Sequence, residues 1–344
     1  MRHSCSAGLC VSTWTCVLAC VIVAHASVAA PAAQPQESRS ESQQRLQEVT
    51  VTATRLQDHR TLARAVSGFV ASHSAPSTRI NQIGRWHEPL CPLVTGLQTP
   101  SGDFITGRIL EVARSVGAPT GSVGKKCAVT VEIVFTREPQ ALLDHIAKAY
   151  RPMLGFYPVS QEPQMTTFSR PIQAWYETGT RSMETDFNDI PMAGGGTYSP
   201  WAEGKYGNPE PILSGGQTDS DATAAGLQPS GIVGSRLSGR RVRSEFIHIL
   251  IIVDGGQLAR YPLSSVADYL AMLSLTRAER LDQCAPLPSI TDLLASGCAA
   301  PVANTLTSAD RAYLTALYSV DLERNLTFEH GEIREQMMRQ IEAK

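Results

Sequence analysis

The first thirty residues constrain the fold most, because they predict the compartment in which the rest of the chain folds. Arg2 and His3 give a short positive start, and an apolar run follows from Leu9 to Val23. Small residues come next, at Ala24, Ala26, Ser27, Ala29 and Ala30. This order is typical of a secretory signal peptide with an A-x-A-like cleavage site. We therefore predict a signal peptide over residues 1–29 and a mature chain that is periplasmic or secreted.

This segment has two other interpretations. A membrane anchor is one, but the apolar run is short for a bilayer span. A lipoprotein signal ending at Cys20 is the other, and the continuation of the apolar run beyond Cys20 argues against it. No second long apolar run follows, so we expect no integral membrane segment in the mature chain.

The charge balance points to no polyanionic partner. The mature chain keeps 29 basic against 32 acidic residues, because Arg2 is the single basic residue of the signal segment, and its formal charge is −3. That small negative value gives no electrostatic drive toward nucleic acid, so we predict no nucleic-acid partner. About 315 residues remain after cleavage, enough for a sizeable core.

Four cysteines remain after the signal peptide: Cys91, Cys127, Cys284 and Cys298. An even count in an exported chain predicts two disulfides, for which three pairings exist. We favour Cys284–Cys298, which closes a short loop, and therefore Cys91–Cys127. The alternative is a metal site, but zinc ligands usually come closely paired and no C-x-x-C is present. We predict no metal site and no cofactor.

The chain is predicted to be a single compact domain of mixed α/β or α+β class, with a long flexible insertion. Residues 30–82 are interpreted as a flexible tether that includes a weak helix over residues 61–72, because residues 30–47 are rich in Pro, Gln, Ser and Glu. The folded domain is placed at residues 83–325, with a partly disordered Gly- and Ser-rich insertion at residues 180–240. An amphipathic helix is expected over residues 326–344, with Ile333, Met337 and Ile341 on one face.

Hydrophobic patterns predict the elements of this domain. Strands are expected around residues 85–97 and over residues 128–136, 173–178 and 245–253, and helices over residues 103–116, 139–150 and 264–280. Thr307 and Asp310 match a capping box at the start of a further helix.

The order of elements in the second half resembles the zincin-type metalloprotease fold over roughly residues 85–325. The segments that carry the resemblance are Val266–Leu275, Leu287–Ile290, Leu306–Asp310 and the pair Leu317-Tyr318. In that family the helix carries H-E-x-x-H, so that two His bind zinc and the Glu activates water. The alternative is that residues 264–280 form an ordinary amphipathic core helix.

The resemblance implies a zincin-type fold without zinc-dependent catalysis. It puts Ala267 and Ala271 at the two His positions, Asp268 at the Glu position and a third ligand near Arg277. Alanine has no lone pair to offer a metal, so a zinc site of that type is excluded.

A segment near the mature N-terminus resembles the TonB box of outer-membrane transporters. It consists of Glu48, Val49, Thr50, Val51, Thr52, Ala53, Thr54 and Arg55. The resemblance implies a TonB-like partner in the cell envelope, bound by strand addition to an exposed sheet edge. Transport itself is not implied, because no succession of membrane strands follows. The alternative is a linker or an edge strand.

The sequence is compatible with two functions. The first is a non-catalytic exported envelope protein that binds a partner. The second is a periplasmic hydrolase with an unrecognised active site, whose candidate catalytic residues gather around one strand and the helix after it. They are Asp268, Glu245, His248 and Asp254. His248 is also interpreted as a hydrogen-bonded residue of the strand, and Asp254 as a turn residue.

Overall fold

The chain divides into residues 1–55 and Leu56–Lys344. In the computed structural model the described residues all belong to the second unit: 58–77, 80–121, 127–155, 157–182, 188–189, 242–298, 302–321 and 325–343. The predicted signal peptide, the segment at residues 48–55 that resembles a TonB box and most of the predicted insertion at residues 180–240 lie outside the described residues.

One open sheet forms the centre of this unit. Its strands are β1 (Pro92–Thr95), β2 (Val131–Thr136), β3 (Ile172–Ser182), the two-residue β4 (Asn188–Asp189) and β5 (Val242–Asp254). Their spatial order is β1-β2-β5-β3-β4. β1, β2 and β5 are mutually parallel, and β3 is antiparallel to both β5 and β4. The mixed helix and strand class predicted from the sequence is confirmed.

Six helices longer than two turns surround the sheet among the described residues. They are α1 (58–73), α2 (Thr99–Ser115), α3 (Pro139–Ala149), α4 (Leu263–Leu275), α5 (Ser308–Ser319) and α6 (Leu326–Glu342). Short helical turns include the 3₁₀ helix Ile290–Leu294.

The two faces of the sheet bury different helices, because strand side chains alternate between faces. On the first face Ile133, Ile249 and Ile251 belong to the large core that includes α1, α2, α4, α5 and α6. On the second face Val134, Leu250 and Ile252 pack in a smaller core with Leu142, Leu143 and Ile146 of α3. Any group on a strand is therefore assigned to one of two separate environments.

Helix α1 corrects the predicted start of the folded domain. The sequence predicts a flexible tether with a weak helix over residues 30–82, but Val66, Phe69 and Val70 are buried in the large core. The chain just after the helix also contacts the rest of the fold, since the backbone amide of Ala75 donates to the carbonyl of Arg277. The folded unit therefore begins well before Ile83.

Several element predictions agree closely with the structure. The side chains of Thr307 and Asp310 form the predicted reciprocal capping box of α5. Ile333 and Met337 of α6 are buried, as their spacing predicts. Helix α4 is shorter than predicted: it ends at Leu275, because Thr276 adopts an extended conformation (φ −148°, ψ 152°).

Two disulfides stabilise the unit, with the pairing favoured from the sequence. Cys91–Cys127 joins residues 36 apart, and Cys284–Cys298 joins residues 14 apart. The first lies beside β1 and the second closes a loop around the 3₁₀ helix Ile290–Leu294. Among the described residues, no helix combines the length and apolar character that crossing a bilayer would require.

Candidate functional site

The helix that resembles the zincin catalytic helix is enclosed on all sides. Every residue of α4 from Ser265 to Leu275 is buried. Ala267 and Ala271, which occupy the two His positions in the resemblance, are both 0% exposed. Their methyl groups pack in the large core, so this helix presents no open cleft at the positions where a metal would sit.

Asp268 has two structural partners inside the core. Its Oδ1 lies 2.5 Å from Nε of Arg108 on α2, and its Oδ2 accepts a hydrogen bond of 2.9 Å from the backbone amide of Leu306. The hydrogen bond to Asp268 is the main reason that the pKa of Arg108 is raised above its usual range. One buried carboxylate therefore joins α2, α4 and the segment that precedes α5.

Glu245 is engaged in a similar way on β5. Both of its carboxylate oxygens accept from Nε of Arg181 on β3, at 3.0 and 2.8 Å. Arg243 lies 3.9 Å away. Arg181 also reaches the exposed Glu88 at 3.1 Å. This network links neighbouring strands at the amino end of β5.

His248 lies on the second face of the sheet, close to two other buried ionisable side chains. It is the register partner of Glu177 on β3, and Glu132 on β2 pairs with Leu250, two residues further along β5. Among the described residues neither ring nitrogen of His248 has a hydrogen-bond partner. Because burial disfavours the charged ring, the pKa of His248 is lowered to about 4. The ring is therefore neutral at neutral pH.

Asp254 acts as a helix cap, close to its predicted role in a turn. Its side chain accepts from the amides of Gly256 and Gln257 at 2.9 and 3.1 Å, at the start of the short helix Gly255–Leu258. Slight burial acts to raise the pKa of Asp254, but the hydrogen bonds from Gln257 and Gly256 outweigh it, so the pKa is lowered. The carboxylate is thereby held in its charged form.

The four candidate catalytic residues do not share a site. Glu245 lies near the amino end of β5 and His248 lies at its middle, whereas Asp254 is its last residue, roughly 20 Å from His248 at about 3.3 Å per residue. Asp268 lies on the opposite side of the sheet, since α4 packs on the first face and His248 belongs to the second. The described residues also contain no group of three or more His, Cys, Asp or Glu placed to hold a metal ion.

A buried network that the sequence did not reveal surrounds His73 on α1. Nδ1 of His73 lies 2.9 Å from the carbonyl oxygen of Phe69, and Nε2 lies 3.1 Å from the hydroxyl of Thr291. The hydroxyl of Ser289 donates to Oδ1 of Asp310 at 2.6 Å, and that of Tyr313 donates to the carbonyl of His73. Burial lowers the pKa of His73.

This network borders a small cavity of about 240 Å³, lined in part by Ser72, His73 and Thr291. Ser289 and His73 do not form a nucleophile–base pair. The hydroxyl of Ser289 donates its proton to Asp310, and its oxygen lies 3.4 Å from Nε2 of His73. The cavity is also smaller than most ligand pockets. The network therefore joins α1 to the 3₁₀ helix Ile290–Leu294 and to α5.

The reason that sequence reasoning missed His73 is its distance from its partners along the chain. Thr291 and Asp310 lie more than two hundred positions away, and no local spacing links them to His73. Arg277, near the third ligand position of the resemblance, donates to the carbonyl of Pro76 at 3.0 Å.

In comparisons with known proteins, no family model, no curated protein and no solved structure matches the chain.

Proposed function

We propose that this chain is an exported, non-catalytic protein of the cell envelope that acts by binding a protein partner. The observation that carries the proposal is the environment of α4. The residues that would hold the metal and activate water in a zincin are replaced by two buried alanines and by Asp268, whose oxygens accept from Arg108 and Leu306. The helix serves the stability of the fold.

The proposal includes a distant relation to zincins that have lost their metal ligands. Its support is the order of elements: β5, the turn after Asp254, α4, the 3₁₀ helix Ile290–Leu294 and the capped helix α5 follow one another as the resemblance requires. The metal-binding function would then have been replaced by a framework role for the same helix.

Export is supported by the two disulfides. Such bonds form and persist in oxidising compartments such as the bacterial periplasm. The predicted signal peptide at residues 1–29 would deliver the chain there.

The partner-binding element of the proposal is the segment at residues 48–55. Its alternating Val and Thr residues suit an extended strand with one apolar side. It ends three positions before the first described residue of α1. Strand addition uses backbone amides, which gives a direct way to test it.

The test is calorimetric titration of the mature protein with the purified periplasmic domain of TonB. We expect binding by the unchanged chain and its loss in Val51→Pro, because proline removes a backbone donor from the strand. The matched control is Ala33→Pro, which adds a proline elsewhere in the predicted tether and should bind like the unchanged chain. Equal binding by both proline variants, or no binding by the unchanged chain, contradicts the proposed partner.

A further inference from the structure

A wide groove runs between α1 and α6, and its charge differs in sign from that of the whole chain. The groove has a volume of about 740 Å³, within the range of ligand-binding pockets. Its lining includes four arginines, Arg60, Arg64, Arg334 and Arg339. The mature chain carries a formal charge of −3, so this concentration of positive charge is a local feature.

The acidic residues of the groove neutralise part of this charge. Glu335 lies 3.9 Å from Arg334, and Glu342 lies 3.3 Å from His59. Four guanidinium groups against two carboxylates leave an excess of two positive charges while His59 is neutral. A phosphate monoester, which carries between one and two negative charges at neutral pH, matches this excess.

Arg60 and Arg64 are the two groups best placed for a ligand. Both are exposed, and neither forms an ion pair within the described part of the chain. They lie four positions apart on α1, where like charges face each other and destabilise a helix by a few tenths of a kcal/mol. An anion bound between them would attract both guanidinium groups and so offset this repulsion.

The opposite wall of the groove offers further contacts. Arg334 and Arg339 are exposed on α6, and the buried Met338 of the same helix also lines the groove. Guanidinium groups on two helices can approach a tetrahedral anion from two sides, and the planar arginine fork fits phosphate oxygens in pairs.

We propose that the α1–α6 groove is a binding site for a phosphate-bearing ligand. This inference goes beyond the proposed function, because the residues that line the groove do not include any of the segment at residues 48–55. The same phosphate chemistry is available from a soluble phosphate or from the headgroup of an anionic lipid. An acidic protein segment is a different class of partner, and the compact excess of two charges favours the phosphate.

The experiment uses the full mature chain and two probes. Inorganic phosphate is titrated by calorimetry, and phosphatidylcholine vesicles with or without phosphatidic acid are used in sedimentation assays. The test variant is Arg60→Gln/Arg64→Gln. The matched control is Arg114→Gln/Arg311→Gln, which removes two exposed arginines from α2 and α5. Circular dichroism and urea unfolding of each variant show that the fold is retained.

We expect the unchanged chain to bind at least one probe, more weakly as salt rises. Arg60→Gln/Arg64→Gln should bind about tenfold more weakly or worse, since two charge-assisted contacts are lost. The control pair and Val51→Pro should bind like the unchanged chain. Binding of inorganic phosphate supports a soluble ligand, and binding of vesicles alone supports a lipid headgroup. Binding of neither probe, or equal weakening by the two arginine pairs, overturns the proposal.

Discussion

The carboxylate of Asp268 on α4 lies 2.5 Å from Nε of Arg108 on α2. This contact gives α4 a structural role in the fold. The side chain of Asp268 is 2% exposed and that of Arg108 is 21% exposed. A carboxylate enclosed in this way cannot meet a substrate unless α2 and α4 separate. The position that corresponds to the catalytic Glu in the zincin resemblance is therefore part of the framework.

Removing this carboxylate should destabilise the fold. Asp268→Ala leaves Arg108 without its buried partner and the amide of Leu306 without an acceptor, so we expect a loss of about 3 kcal/mol in the free energy of unfolding. Asp268→Asn keeps an acceptor for Leu306 and should lose less. Urea unfolding measures both. The control is Asp103→Ala, an exposed residue of α2, which should change stability by less than about 0.5 kcal/mol. Equal stability of Asp268→Ala and Asp103→Ala would contradict the framework role.

Helix α1 should contribute to stability as a core element. Phe69 is 0% exposed, and its ring stacks on that of His73 with 4.0 Å between centroids. We expect Phe69→Ala to cost about 4 kcal/mol, through lost burial and the cavity it leaves. Thr61→Ala, at an exposed position of the same helix, serves as the control in thermal and urea unfolding. If both substitutions leave the free energy of unfolding unchanged, residues 58–77 form no part of the folded core.

Stability should fall as the solution is acidified, partly through His248. The ring of His248 binds a proton near its ordinary pKa of 6.5 in the unfolded chain, but in the folded chain its pKa is about 4. The unfolded state therefore binds more protons between these values, and up to about 3 kcal/mol of stability is lost as pH falls from 6.5 to 4.

The variant His248→Leu should lose this part of the pH dependence in urea unfolding at a series of pH values. His145→Leu, at an exposed position of α3, should keep it. His87, whose pKa is lowered to about 3 mainly by burial, adds a slope that both variants retain. The role of His248 is refuted if its variant shows the same pH dependence as the His145 variant.

The two disulfides should contribute unequally. Loop-closure entropy predicts about 3 kcal/mol for Cys284–Cys298 and about 4 kcal/mol for Cys91–Cys127, because the second closes the longer loop. Urea unfolding of the two double Cys→Ser variants measures these losses. Thiol titration of the denatured chain should find no free thiol before reduction. Wild-type stability in both double variants would show that the bonds do not stabilise the fold.

Much of the fold could be predicted where local patterns suffice. The sequence signals of β2, α3 and α5 each lie among neighbours in the chain. They are a strand rich in β-branched residues, a proline at the start of the helix, and the capping box of Thr307 and Asp310. The disulfide pairing followed from loop length. In each case the interaction that stabilises the element lies within the residues that signal it.

The missed features depend on long-range contacts. Helix α1 has a weak apolar face of its own, and its burial depends on partners such as Thr291 and Tyr313. Similarly, the sequence showed Glu245 and His248 on one strand but could not show which strands lie beside it. Because β5 lies between parallel β2 and antiparallel β3, His248 meets Glu177, from a strand more than sixty positions earlier.

The most direct test of the account is the metal content of the mature protein, purified with its disulfides intact and without chelator. We expect no tightly held metal, because alanines stand on α4 where a zincin would carry its two His and because Asp268 is paired with Arg108. About one tightly bound zinc per chain would contradict it, place metal ligands elsewhere in the molecule and make a metal-dependent hydrolase the better interpretation.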